Sequence, residues 1–175
     1  MTAWSEGKIG RALARNTFKD CLCALPNCTW TGDEIDLLVV TRTLLVVDVE
    51  VKITRADLKA DAAKTKWWHT PNNWWRHSQV RPAPEHRDWP RRVWKHYYAM
   101  PASIWKPELV AGIGAASGVL LVAETDSGAL SVSCARRARP NGERYHLSAA
   151  DVVAVARLAS LRMWDAYAQL ERRTP

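Results

Sequence analysis

Two apolar runs, Ile35 to Thr41 and Leu44 to Ile53, are joined only by Arg42-Thr43, and this pair constrains the chain most. β-branched residues and leucine dominate both runs, and the connection is too short for a crossover, which predicts an antiparallel hairpin. The second run opens on Leu44, Leu45, Val46 and Val47 and reads as a central, largely buried strand. Yet it carries Asp48, Glu50 and Lys52. Side chains alternate across a strand, so these three project from one face while Val47, Val49 and Val51 project from the other. Charges in such a place are costly unless something compensates them, and a divalent cation together with a phosphate would do so.

Other elements follow from periodicity and end signals. Ser5 is a candidate cap for a helix over 6 to 18 that carries Ile9, Leu13 and Phe18 on one side. A loop holding Cys21, Cys23, Pro26 and Cys28 is expected next. Thr54 to Asp57 has the form of a capping box and predicts a helix from about Arg55 to about His69. Thr70 to Arg92 contains Pro71, Pro82, Pro84 and Pro90 and reads as a long loop or insertion. His96 to Met100 reads as a strand, and Val119 to Glu124 with Ala129 to Cys134 as a second hairpin about Asp126-Ser127-Gly128. Ser148 and Asp151 form a second capping box before Val152, Val155, Ala159, Met163 and Tyr167, which predicts a helix over about 149 to 172. The expected fold is a single α/β domain over 1 to 175: a mixed β-sheet flanked by helices, a Trp- and Pro-rich basic insertion at about 70 to 95, and a C-terminal helix.

Charge is distributed unevenly. Residues 53 to 106 carry 11 basic against 4 acidic side chains and seven of the ten tryptophans, so nearly the whole positive excess sits there. Cations interleaved with indoles suit a polyanion, above all nucleic acid, because phosphate contacts release counterions and bases stack on aromatic faces. The candidate contacts are Arg55, Lys59, Lys64 and Lys66 along the predicted helix. A flap would add Trp74, Trp75, Arg76, Arg81, Arg91 and Arg92, with Arg87, Trp89 and Trp94 beside them. The alternative is a solvated basic surface with tryptophan filling a local core, and one of Trp67 and Trp68 is expected to pack on the sheet. The polar start and the longest uncharged stretch, Leu109 to Ala123, broken by three glycines, predict neither a signal peptide nor a membrane span, hence a cytoplasmic protein.

Within the predicted hairpin, Asp36 falls near Glu50, and two carboxylates with the Val51 carbonyl form a hard oxygen set suited to Mg²⁺. Asp36, followed by Glu50-Val51-Lys52 at the end of an apolar strand and before a helix, resembles the D…(D/E)xK signature of the PD-(D/E)XK nuclease superfamily. Ile35 stands where the literal motif has proline. The resemblance implies a restriction-endonuclease-like core and a metal-dependent DNA nuclease, with an endonuclease role in DNA processing, repair or phage DNA metabolism. Asp36, Glu50 and the Val51 carbonyl would hold Mg²⁺ or Mn²⁺, with Glu6 and Asp48 as further candidate ligands. Lys52 would position the attacking water or offset charge on the phosphate. DNA is the implied partner, RNA the other candidate, and a homodimer is a further implication.

Three alternatives stand beside this reading. One is a non-cleaving nucleic-acid-binding protein on the same fold, and another a regulator that binds protein through its Trp-rich segment. The third makes Glu50 and Lys52 an ordinary ion pair on an exposed edge strand. Cys21, Cys23 and Cys28, with Cys134, are either reduced thiols or the ligands of a zinc or iron–sulfur site, though they lack paired knuckle spacing. The glycines from Gly112 to Gly118 precede a predicted strand, so they do not form a dinucleotide loop.

Overall fold

Helix α1 (Glu6–Asn16) begins where the Ser5 hydroxyl accepts a hydrogen bond from the Lys8 amide, and it buries Ile9, Ala12 and Leu13. In this computed structural model residues 3–69 and 83–172 are described. Strand β1 (Cys23–Cys28) occupies the segment expected to be a loop. It lies at the sheet edge, where Pro26 is tolerated because its missing amide faces no partner. Asn27, at φ 48°, turns the backbone so that Leu25 and Cys28 enter the same apolar cluster. That left-handed residue and the proline are what hid the strand from a reading by alternation.

The predicted hairpin is present as β2 (Ile35–Val40) and β3 (Val46–Val51), paired antiparallel with Leu37 opposite Val49. Its turn is wider than Arg42-Thr43: the Thr41 amide donates to the Leu45 carbonyl, and Leu44 takes a left-handed φ of 59°. Every residue of β3 is buried.

Helix α2 (Arg55–Asp61) starts at the Thr54–Asp57 capping box but ends far short of His69. A single 3₁₀ turn (Thr65–Trp67) and a short strand, β4 (Trp68–His69), replace the rest, and β4 pairs with β5 (Glu85–His86). The reason is geometric. Five residues along an ideal helix is a rotation of about 140°, which would carry Lys66 away from the face holding Asp61. Both side chains are needed inside, and both are buried.

Strand β6 (Lys95–Pro101) runs parallel to β3, β7 (Gly118–Glu124) parallel to β6, and β8 (Leu130–Arg136) antiparallel to β7. Among the described residues the main sheet is six-stranded and mixed, in the order β1-β2-β3-β6-β7-β8. Gly118 faces Tyr97 across the β6–β7 pair, and a Cβ there would collide with the Tyr97 ring and the Ala138 amide. The chain ends in helix α3 (Ala149–Glu171), capped by Ser148 and Asp151 as the sequence predicts.

Helix α1 covers one face of the sheet, over Val47, Val49, Val51, Ala99 and Leu120. The other face carries two clusters. Leu38, Val46, Val93 and Leu147 pack under Val155 of α3, and Trp67, Leu58, Tyr98 and Met100 pack under α2. The charged side chains of β3 project from this second face. No helix among the described residues is long and apolar enough to cross a membrane.

Candidate active site

The β2–β3 register, continued one step beyond Leu37 and Val49, sets Asp36 opposite Glu50. Asp36 Oδ2 accepts a hydrogen bond from the Val51 amide at 2.7 Å. Burial raises the Asp36 pKa, the Glu50 carboxylate raises it further, and the Val51 amide and Lys52 act in the opposite direction. Asp36, Val51 and Lys52 line a cavity of about 310 Å³ at the carboxyl end of β3, together with Glu6, Asp57 and Lys64. Asp36, Glu50 and Lys52 thus share one face and one end of the hairpin. β3 is central and Glu50 fully buried, so the exposed edge-strand pair is ruled out.

Three ammonium groups converge on Glu50. Lys52 Nζ lies 2.9 Å from Oε2, Lys64 Nζ 2.8 Å from the same oxygen, and Lys66 Nζ 2.6 Å from Oε1. Against the upward push of burial, Lys66 and Lys52 hold the Glu50 pKa down at about 2. Lys64 and Lys66 were expected on a phosphate-tracking helix face, and the structure corrects this. Lys66 is buried beneath the 3₁₀ turn, and Lys64 reaches into the site while keeping a side chain 46% exposed.

Asp61 completes the cluster and was missed in the sequence. Its Oδ1 pairs with Lys52 at 2.7 Å and with Lys64 at 3.1 Å. Its Oδ2 accepts hydrogen bonds from the Tyr98 hydroxyl at 2.6 Å and the Trp67 indole at 3.1 Å. Despite burial, Lys66 and the hydrogen bonds from Lys52 and Tyr98 lower the Asp61 pKa, while burial and the same carboxylate raise that of Tyr98. The available signal was Asp61 falling three residues after Leu58, on the apolar stripe of α2.

Asp48 points deeper into the same face and does not line the cavity. Its Oδ2 is 3.7 Å from Lys66 Nζ and 3.9 Å from His96 Nε2, and His96 Nδ1 is 2.9 Å from Ser117 Oγ. Burial raises the Asp48 pKa to about 7 against the pull of Lys66, and burial drives that of His96 well below its ordinary value. Asp48 is therefore a partner of His96 and Lys66, away from the cavity wall.

The oxygen donors on the cavity side fit a hard divalent cation. Asp36 and Glu6 line the cavity together with Val51, and the Glu50 carboxylate, fully buried outside the lining, lies near enough to raise the Asp36 pKa. Among the described residues no three His, Cys, Asp or Glu side chains are grouped for a metal. The cysteines do not converge. Cys23 and Cys28 lie on β1 and Cys134 on β8, the opposite edges of the sheet, on the order of 20 Å apart at ~4.8 Å per strand. All four are free thiols, and burial raises the pKa of Cys21, Cys23 and Cys28.

The remaining basic and aromatic candidates separate into two groups. Arg55 and Lys59 are exposed on α2, with Arg55 Nε donating to the Ile104 carbonyl. Arg91 lines a second, larger cleft of about 750 Å³ with His86, Arg87, Trp89 and Tyr145. Arg92 lies over the rings of both Trp30 and Tyr145, 5.2 and 5.3 Å from their centroids, which makes it a packing element as well as a wall of that cleft. Trp94 packs against the α1 cluster and not in a flap, and of the Trp67 and Trp68 pair it is Trp67 that packs on the sheet. Trp74, Trp75, Arg76 and Arg81 lie outside the described residues.

No family model matches the chain, and no curated protein matches it. A solved structure described as the SPO1766 protein of unknown function from Silicibacter pomeroyi is similar to it at 17% identity, with a TM-score of 0.56 over 97% of this chain and 94% of that one. The likeness supports an α/β fold with a mixed sheet and carries no activity with it.

Proposed function

We propose that the chain is a metal-dependent DNA nuclease with a restriction-endonuclease-like core, hydrolysing phosphodiester bonds in DNA processing or repair. The observation that carries this reading is the convergence of Asp36, Val51 and Lys52 on one cavity with Glu50 directly beneath, at the carboxyl end of a central strand. Asp36, Glu50 and the Val51 carbonyl would hold Mg²⁺ or Mn²⁺. Such an ion supplies a more acidic water and neutralises charge at the phosphate. The chain's own residues do the rest. The Val51 amide fixes the Asp36 carboxylate. Lys52, anchored between Glu50 and Asp61, presents a positive charge of fixed position to the phosphate. Lys64 is the one partner of Glu50 with substantial exposure, so it is the group free to leave Glu50 Oε2 and follow the substrate.

A second reading, a nucleic-acid-binding protein without cleavage, is favoured by the saturation of Glu50, whose two oxygens already face three ammonium groups. A cleavage assay separates the two. Single-stranded, duplex and branched DNA and RNA are incubated with Mg²⁺, Mn²⁺ or EDTA, using wild type, Asp36→Asn and Lys52→Met. The nuclease reading expects cleavage that EDTA abolishes and that each substitution lowers by about 100-fold or more, with circular dichroism unchanged. Cleavage surviving Asp36→Asn removes the mechanism, and binding without cleavage on every substrate selects the second reading.

A further inference from the structure

Helix α3 is two-sided. Val152, Val155, Leu158 and Ala159 pack its first half onto the sheet, and Arg162 Nη2 donates to the Asn27 carbonyl at 2.8 Å. Beyond Arg162 no side chain of the helix enters a core cluster, yet the sequence there stays rich in large apolar residues. Trp164 and Tyr167 are 63% and 53% exposed, and Leu161 and Met163 are also exposed. At 100° per residue, Arg157, Ser160, Leu161, Trp164, Tyr167, Ala168 and Glu171 form one stripe turned away from Val155.

That stripe is symmetric about Trp164. Three residues to either side stand Leu161 and Tyr167, both large and apolar. Four residues to either side stand Ser160 and Ala168, both small, and seven to either side stand Arg157 and Glu171, of opposite charge. Two copies of the helix packed antiparallel about a two-fold axis at Trp164 would bring positions equally far before and after it face to face. Trp164 would then meet Trp164, Leu161 would meet Tyr167, and Arg157 would meet Glu171 twice. Small residues at Ser160 and Ala168 let the helices approach, and spacings of three and four are those of ridges that interlock at a shallow crossing angle. A parallel pair would set Arg157 on Arg157 and Glu171 on Glu171. No ion pair within the chain engages Arg157 or Glu171 among the described residues. With roughly 150–250 Å² for each aromatic side chain, the stripe offers on the order of 500 Å² per copy, and about 1,000 Å² in total is where specific interfaces begin.

We infer that the occupant of this face is a second copy of the chain, in an antiparallel α3–α3 homodimer centred on Trp164. Sedimentation equilibrium of the full chain from about 1 to 100 µM tests it. Wild type is expected to dimerise in this range. Trp164→Ala is expected to weaken association by about 100-fold, as for a central aromatic hot spot. Arg157→Glu and Glu171→Arg are each expected to weaken it by about tenfold, and the double variant to return to within about threefold of wild type. All substituted side chains are exposed, and far-ultraviolet circular dichroism confirms that each variant folds. A chain that stays monomeric throughout, a dimer that ignores Trp164→Ala, or a charge swap that the double variant does not rescue overturns the inference.

Discussion

Asp48 Oδ2 lies 3.9 Å from His96 Nε2 with both side chains buried, and burial favours the uncharged form of each. The folded Asp48 pKa of about 7 lies above the ordinary carboxylate value, so between about pH 4 and 7 the native state binds one proton more than the unfolded chain. Taken alone, Asp48 makes stability fall as pH rises through that window. The folded His96 pKa lies well below 6.5, so below that pH the unfolded chain binds one proton more, and His96 alone makes stability rise with pH. In wild type the two slopes oppose each other below pH 6.5. Urea unfolding at pH 5 and pH 7 should expose each one separately. Relative to wild type, Asp48→Asn should gain stability with rising pH, and His96→Gln should lose it, each by about 1.4 kcal/mol per pH unit. Two variants that track wild type would show that the groups titrate normally.

Elements are held to their register by a few positions. Gly118 is one, because Tyr97 lies across the parallel β6–β7 pair where a side chain would go. Gly118→Ala should destabilise by about 2 kcal/mol or more, as overpacking does, and Tyr97→Val should recover part of the loss in the double variant, measured by denaturant midpoints. Additive losses would assign the clash to the Ala138 backbone amide, which the same Cβ would meet, and not to the Tyr97 ring. At this scale the sequence was readable where local signals agree with tertiary need. Thr54 with Asp57 and Ser148 with Asp151 set two helix starts, and the Ile35–Val40 and Val46–Val51 runs set the hairpin that brings Asp36 to Glu50. It was misleading where a distant partner overrides the local pattern. Lys64 and Lys66 look like solvated helix residues, and only carboxylates on β3, more than a dozen positions away, explain why α2 stops at Asp61. Asp61, His96 and Tyr98 escaped notice for the same reason: their roles come from strands and helices far apart in sequence.

Across the whole molecule, the two concavities lie at opposite ends of the central strands. The site cavity opens by Val51 and Lys52, and the larger cleft by Arg87 to Arg92, just before β6 begins. If nucleic acid spans from one to the other, exposed Arg91 and packed Arg92 should behave differently. Arg91→Ala should weaken binding of a DNA oligonucleotide and reduce the salt slope by about 1. Arg92→Ala should chiefly lower the melting temperature, because it removes the cation that lies over the Trp30 and Tyr145 rings. Fluorescence anisotropy across a salt series checks the first, and an unchanged slope would place the contact elsewhere. The sheet order also governs how the charged cluster meets its end. β3 and β6 each have further strands outside them, and loosening proceeds from the margins inward, through β1 and β8. Bulk water is therefore expected to reach Lys52, Lys66, Glu50 and Asp61 late, and denaturation then hydrates them together.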